Sequence, residues 1–252
     1  TGQGTGTTNY TILPNFSSVA RNGSITVNNL TVPVQQAPAA GAMRQRLVRS
    51  LYYNTLGRIP TQAEEDFQVN SNLSTLDLTT NFFTSQEFAQ SGKLVSGLYI
   101  ALLDRDAEYA GWIFQRNALS SRALNQVQLT GNFLGSLEYT QRFGAPTVNE
   151  FVRLLYQNVL GRVPSAAEEA FQVNAVNAAG RATVATNFMG VEEFRVGRLP
   201  RFDSFLVYAA ILNRDPTPAE RQLTKSRLES GVSIGTILQE IVSSAEFTQL
   251  LQ

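Results

Sequence analysis

The chain has 252 residues, 43% of them hydrophobic and only 16% charged, with 20 basic and 20 acidic side chains that cancel. That length allows one large or two medium domains with a sizeable core. The absence of any basic block argues against nucleic acid as a partner, and no apolar run approaches the roughly 18 residues of a bilayer span. There is no Cys and no His, which removes thiolate zinc sites, disulfides and Cys–His or Ser–His nucleophile pairs. The low charge implies a surface of Asn, Gln, Ser and Thr, which suits a secreted or cell-surface bacterial protein. Thr1 is not an initiator Met, which fits removal of a signal peptide or another truncation.

Residues 1–37 differ in kind from the rest. A Gly/Thr stretch precedes a short strand at 9–13 (Tyr10, Ile12), then a turn-rich segment. Ile25 and Val27 alternate with polar residues, as do Leu30, Val32 and Val34, and Asn28-Asn29 between them predicts a hairpin because Asn tolerates positive φ. Pro33 marks an edge strand or a bulge. Residues 38–43 form a Pro/Ala linker. Arg21, Gly23, Ile25, Val27, Thr31, Val32, Val34 and Gln36 resemble the closing strands of a BACON-type, immunoglobulin-like β-sandwich, over about 35 residues and without the family's Trp strand. Half a sandwich leaves an apolar face and an edge to cover. The chain's own helices could cover it, a neighbouring subunit could add strands by β-augmentation, or the half could result from truncation. Five Asn-x-Ser/Thr patterns, at Asn9, Asn15, Asn22, Asn29 and Asn72, read as ordinary turn and strand chemistry rather than glycosylation acceptors.

From residue 44 the pattern becomes helical and recurs. Leu51-Tyr52 through Leu56-Gly57-Arg58-Ile59-Pro60 returns at Leu155-Tyr156 through Leu160-Gly161-Arg162-Val163-Pro164, 104 positions later. Weaker copies run from Leu98-Tyr99 to Arg105 and from Val207-Tyr208 to Arg214. Each unit opens on a helix, with Leu47, Val48, Leu51, Tyr52 and Leu56, and Phe151, Val152, Leu155, Tyr156, Val159 and Leu160, at helical spacing. Gly57 and Gly161 stand at C-cap positions. Thr61–Glu64, Ser165–Glu168 and Thr217–Glu220 form capping boxes that start a second helix. That second helix is expected to bury Phe67, Val69, Phe171 and Val173, and in unit two it carries Tyr109, Trp112 and Phe114. A third helix closes on Glu-aromatic: Glu87-Phe88, Glu138-Tyr139, Glu193-Phe194 and Glu246-Phe247. The expected fold is mainly α, four related helical units made by tandem duplication of a pair (44–146 and 147–252), with a small N-terminal antiparallel β arm. These motifs resemble the bacterial domain-of-unknown-function family 4214 across nearly all of residues 44–252. Unit two's Ala110-Gly111-Trp112 is close to the family's second-helix pattern, from which units one and three depart. The resemblance implies large secreted and surface proteins, some with calcium-binding repeats, and no catalytic residues.

The recurring Arg58, Arg105, Arg162 and Arg214 and the recurring Glu87, Glu138, Glu193 and Glu246 predict structural ion pairs, since four equivalent catalytic sites would be odd. The adjacent carboxylates Glu64-Glu65 and Glu168-Glu169 point about 100° apart on a helix, wrong for flanking one bond. No cofactor is implied; calcium through Asp104 and Asp106, or Asn213 and Asp215, stays open. The expectation is therefore a non-enzymatic structural protein that self-assembles as a homo-oligomer or filament through Tyr10, Ile12, Ile25, Val27, Leu30, Val32 and Val34. A carbohydrate- or surface-binding module is the alternative. An enzyme would need an acid pair that breaks the repeat symmetry, and the sequence displays none.

Overall fold

The computed structural model describes residues 12, 15, 19–27, 30–37 and 42–252. Tyr10, most of the expected strand at 9–13, the Asn28-Asn29 turn and most of the linker lie outside these. Strands β1 (Arg21–Val27) and β2 (Leu30–Gln36) pair antiparallel with Ile25 opposite Val32 and Val27 opposite Leu30. The register puts Ile25, Val27, Leu30, Val32 and Val34 on one face and Asn22, Ser24, Thr26, Thr31 and Gln35 on the other, because side chains alternate along a strand. Thr26 and Thr31 hydroxyls meet at 2.9 Å on the polar face.

The body is helical. Unit one holds α1 (Met43–Leu51), α2 (Gln62–Val69), α3 (Thr75–Thr84) and the short α4 (Gln86–Phe88). Unit two holds α5 (Leu94–Leu103), α6 (Tyr109–Ser120), α7 (Gln126–Leu134) and α8 (Leu137–Phe143). Unit three holds α9 (Val148–Leu155), α10 (Ala166–Ala179), α11 (Arg181–Met189) and α12 (Glu192–Gly197). Unit four holds α13 (Leu199–Ile211), α14 (Pro218–Glu229), α15 (Ile234–Val242) and α16 (Ala245–Leu251). Within each unit the first helix packs on the second. Between units the third helices pair, α3 with α15 and α7 with α11. Arg46 Nε donates to the Leu251 carbonyl at 2.6 Å, tying the first unit to the last. One hydrophobic cluster runs from Leu47 to Leu251 and takes side chains from all four units.

The opening helices differ in pairs. α5 and α13 are the inner ones: every residue of α5 is buried, as is α13 from Phe202 to Ile211. An apolar surface on all sides requires burial on all sides. α1 and α9 are amphipathic and each runs into a π-helical turn, Tyr52–Leu56 and Tyr156–Leu160. A widened turn loosens the carbonyls at the helix end. Arg116 donates to Asn54 O and Ser120 Oγ to Leu56 O (2.6 Å), while Arg198 Nε donates to Val159 O at 3.1 Å. After the π turns, Gly57 (φ 75°) and Gly161 (φ 73°) take the left-handed conformation; at the matching corners Asp104 (φ 46°) and Asn213 (φ 57°) take it instead. Asp and Asn are the side-chain-bearing residues that tolerate this region best.

Candidate functional site

The same cluster recurs at all four corners. Arg58 Nε lies 2.6 Å from Glu87 and its Nη2 2.8 Å from Glu64, with the guanidinium 4.9 Å above the Tyr52 ring. Arg162 repeats this with Glu193 (2.7 Å), Glu168 (2.8 Å) and Tyr156 (5.1 Å). Arg214 does so with Glu246 (2.5 Å), Glu220 (2.7 Å) and Tyr208 (5.1 Å). Arg105 pairs with Glu138 (2.5 Å) and Glu108 over Tyr99 (4.7 Å). The structure thus joins each recurring Arg to the recurring Glu of its own unit and adds a second carboxylate and a ring that the Arg/Glu pattern alone did not indicate. In three units this second carboxylate is the N3 residue of the capping box: Glu64, Glu168 and Glu220 also accept the backbone N–H of Thr61, Ser165 and Thr217.

Unit two shows why its second helix carries Gly111. There the second carboxylate is Glu108, at the N-cap, and Gly111 occupies N3. A Cβ on Gly111 would sit 2.6 Å from Glu108 Oε1 and 2.4 Å from the Tyr99 hydroxyl. Removing the N3 side chain makes the space through which the cap glutamate reaches Arg105.

The charges in these clusters are locked. Hydrogen bonds from Arg58, Arg162 and Arg214 hold Glu64, Glu168 and Glu220 down to about 2. Their carboxylates push the same arginines above the ordinary guanidinium range. General acid–base chemistry wants a pKa near the working pH, so these clusters suit bracing: each ties a helix end, the start of the next helix and the close of the unit to one guanidinium.

One expectation is overturned. Phe67, Phe114 and Phe171 lie nine positions after their unit's cluster Arg and are 72%, 71% and 69% exposed; Leu223, at the same place in unit four, is 60% exposed. The inward position is two residues earlier, where Glu65, Trp112, Glu169 and Arg221 stand. Two residues turn a helix by about 200°, so the phenylalanines face water. The inward face carries charge instead: buried Glu65 pairs with Arg49 at 2.8 Å, and Glu169 with Arg153 at 2.9 Å. Val69 and Val173 pack on the core as expected.

The residues considered for calcium all meet protein partners or stand apart. Asp104 accepts from Arg142 (2.7 Å), Asp106 is gripped by Arg201 (2.6 Å) and Arg221 (3.0 Å), and Asp215 accepts the Tyr109 N–H (2.7 Å). Asn213 Oδ1 is buried and has no hydrogen-bond partner among the described residues. Among the described residues no group of three or more His, Cys, Asp or Glu converges.

Of the expected arm residues, Val27, Leu30 and Val32 are exposed, and Ile25 and Val34 half-buried; among the described residues none of the five belongs to the hydrophobic cluster of the body. Ile12 is exposed too. Among the described residues the sheet has two strands.

One comparison with known proteins gives a match, over the end of unit two and nearly all of unit three. Residues 130–196 match the family Domain of unknown function (DUF4214). The matched stretch runs from α7 to α12 and contains one complete cluster, Tyr156, Arg162, Glu168 and Glu193. No curated protein and no solved structure matches the chain. No helix among the described residues is long and apolar enough to cross a membrane.

Proposed function

We propose that this chain is a non-enzymatic, secreted or cell-surface assembly module that associates with further copies of itself through the β1–β2 hairpin. The observation that carries this reading is the hairpin's composition by face. Five aliphatic side chains share one face, and among the described residues that face lies outside the hydrophobic cluster of the body. An apolar sheet face and unpaired edges in water are unfavourable, and strand addition by a second copy covers both at once. The body presents complementary material in four places: Phe67, Phe114, Phe171 and Leu223, one per unit, with Ile59 and Val163 also exposed. Zero net charge removes long-range repulsion between copies. On this reading all four units are diverged copies of the family that matches at 130–196, and the hairpin is the closing part of a BACON-like sandwich completed in trans. A head-to-tail contact of this kind gives a filament when its rotation does not close.

Sedimentation velocity across a concentration series, with electron microscopy of the same samples, tests this. The full chain should form concentration-dependent oligomers or filaments, and Leu30→Lys with Val32→Lys should abolish them while leaving the melting temperature within about 2 °C, since neither side chain touches the core. Uniform monomers at every concentration would overturn the proposal.

A further inference from the structure

Units two and four place different residues at one inward position of the second helix. In unit two it is Trp112, fully buried, whose Nε1–H donates to Gly92 O at 2.8 Å and closes the space. In unit four it is Arg221. Both meet the same ring: Trp112 packs edge-on against Phe205 at 6.0 Å, and the Arg221 guanidinium lies 5.2 Å over it. Four positions further on, buried Arg116 in unit two corresponds to Lys225 in unit four. A cleft of about 490 Å³ lies between the start of α13 and α14, with Arg221 and Lys225 in its lining.

Its charge is unlike that of the molecule. Arg198, Arg201, Arg221 and Lys225 line it against two carboxylates, Asp106 and Glu229, while the whole chain is neutral. Arg201 and Arg221 share the single Asp106 carboxylate, at 2.6 and 3.0 Å. Lys225 meets Glu229 at the rim, 3.1 Å. Arg198 donates to backbone carbonyls, Val159 O at 3.1 Å and Asn158 O at 3.4 Å, and forms no ion pair among the described residues. Burial, and then the Arg201 charge, push its pKa below the ordinary arginine value. Cations exceed carboxylates by two, in a concave site where each guanidinium presents a planar fork of donors suited to an oxyanion. The volume is that of a small-molecule site rather than a bare ion.

We propose that this cleft binds the oxyanion group, a phosphate, sulfate or carboxylate, of a small ligand, with Arg198, Arg201, Arg221 and Lys225 as its donors. The site is independent of the hairpin, so failure of self-assembly leaves it standing. Isothermal titration calorimetry of the whole chain, at constant ionic strength, tests it with sodium phosphate, sodium sulfate and sodium galacturonate. At least one should bind saturably at a single site, and Lys225→Glu should weaken it at least ten-fold. That variant should keep the wild-type melting curve, because Lys225 pairs only at the rim. Arg122→Glu, on an exposed turn outside the cleft, should bind as wild type. Vesicles separate the sources: sedimentation with phosphatidylglycerol but not phosphatidylcholine, competed by phosphate, places the oxyanion on a lipid headgroup, and binding of the free anions alone places it in solution. No saturable binding of any of the three anions, or equal affinity in wild type and Lys225→Glu, would overturn the proposal.

Discussion

Inner units two and four and outer units one and three share a cluster and differ in almost everything around it. The outer units open on amphipathic helices, widen into a π turn, cap with glycine and pair Glu with Arg across the first two helices. The inner units open on helices buried on all sides, turn through Asp104 or Asn213, and replace the Glu with Trp112 or Arg221. They also grip each other: Asp106 of unit two holds Arg201 and Arg221 of unit four, while Asp215 of unit four accepts the Tyr109 N–H that begins α6. The Arg–Glu–Glu–Tyr brace fixes the internal geometry of a unit, whereas the residues around it decide which surface the unit offers its neighbours.

The sharpest way to break this comparison is at Trp112. Its ring packs edge-on against Phe88 (6.5 Å) and Phe205 (6.0 Å), and the Arg116 guanidinium stacks on it at 4.9 Å. Trp112→Ala should cost about 3–5 kcal/mol in chemical denaturation, a fall of roughly 6–20 °C in Tm for a chain of this size. Arg221→Ala, at the matching place in unit four, should cost a fraction of that because it vacates a cleft already open to water. Equal losses would mean that the two inner units do not differ as described.

The corners come next. Gly57 sits at φ 75°, and a Cβ there would meet Ser120 Oγ at 2.6 Å and Arg116 Nε at 3.0 Å. Gly57→Ala should lose about 2–3 kcal/mol, combining left-handed strain of about 1–2 kcal/mol with displacement of the side chains that satisfy the π turn. Asp104→Gly at the equivalent inner corner should fall within about 0.5 kcal/mol of wild type in the same urea titration. Relief of the same strain offsets loss of the half-exposed pair with Arg142.

Much of this was legible in the sequence. Helix stops at Gly57-Arg58-Ile59-Pro60, capping boxes at Thr61 and Ser165 and closing aromatics such as Phe88 and Phe194 are local signals, and local chemistry fixes them. The recurring Arg and Glu are brought together because both stand at helix ends that the fold must join. The second helices are not legible in the same way, because a phenylalanine at helical spacing reads as facing inward. Phe67 reads as core until one knows that Glu65 is buried beside Arg49, and that pairing spans two helices. The cleft was hidden for a related reason. Arg221 and Lys225 look like a solvated helix face in isolation, and only the shared distance of seven positions from Arg105 and Arg214 sets Arg221 against Trp112.

The smallest expected effect tests the shared brace itself. Glu64 and Glu220 titrate at about 2 in the folded chain, against about 4.3 when unfolded. A depressed carboxylate contributes its full stability above the unfolded value and loses it as pH falls toward the folded one. Tm should therefore decline progressively from about pH 4.5 to pH 2. With no His in the chain, no histidine step should appear between pH 5 and 8. Arg58→Met removes the cation from one outer brace and should cost about 1 kcal/mol at pH 7, the upper range for a half-exposed pair, or about 2–4 °C. It should also flatten the acid decline, because Glu64 then keeps only its capping hydrogen bonds to Thr61. A wild-type Tm in Arg58→Met with an unchanged acid slope would show that this arginine does not brace its unit, and that Glu64 is held down by its cap to Thr61 rather than by the guanidinium.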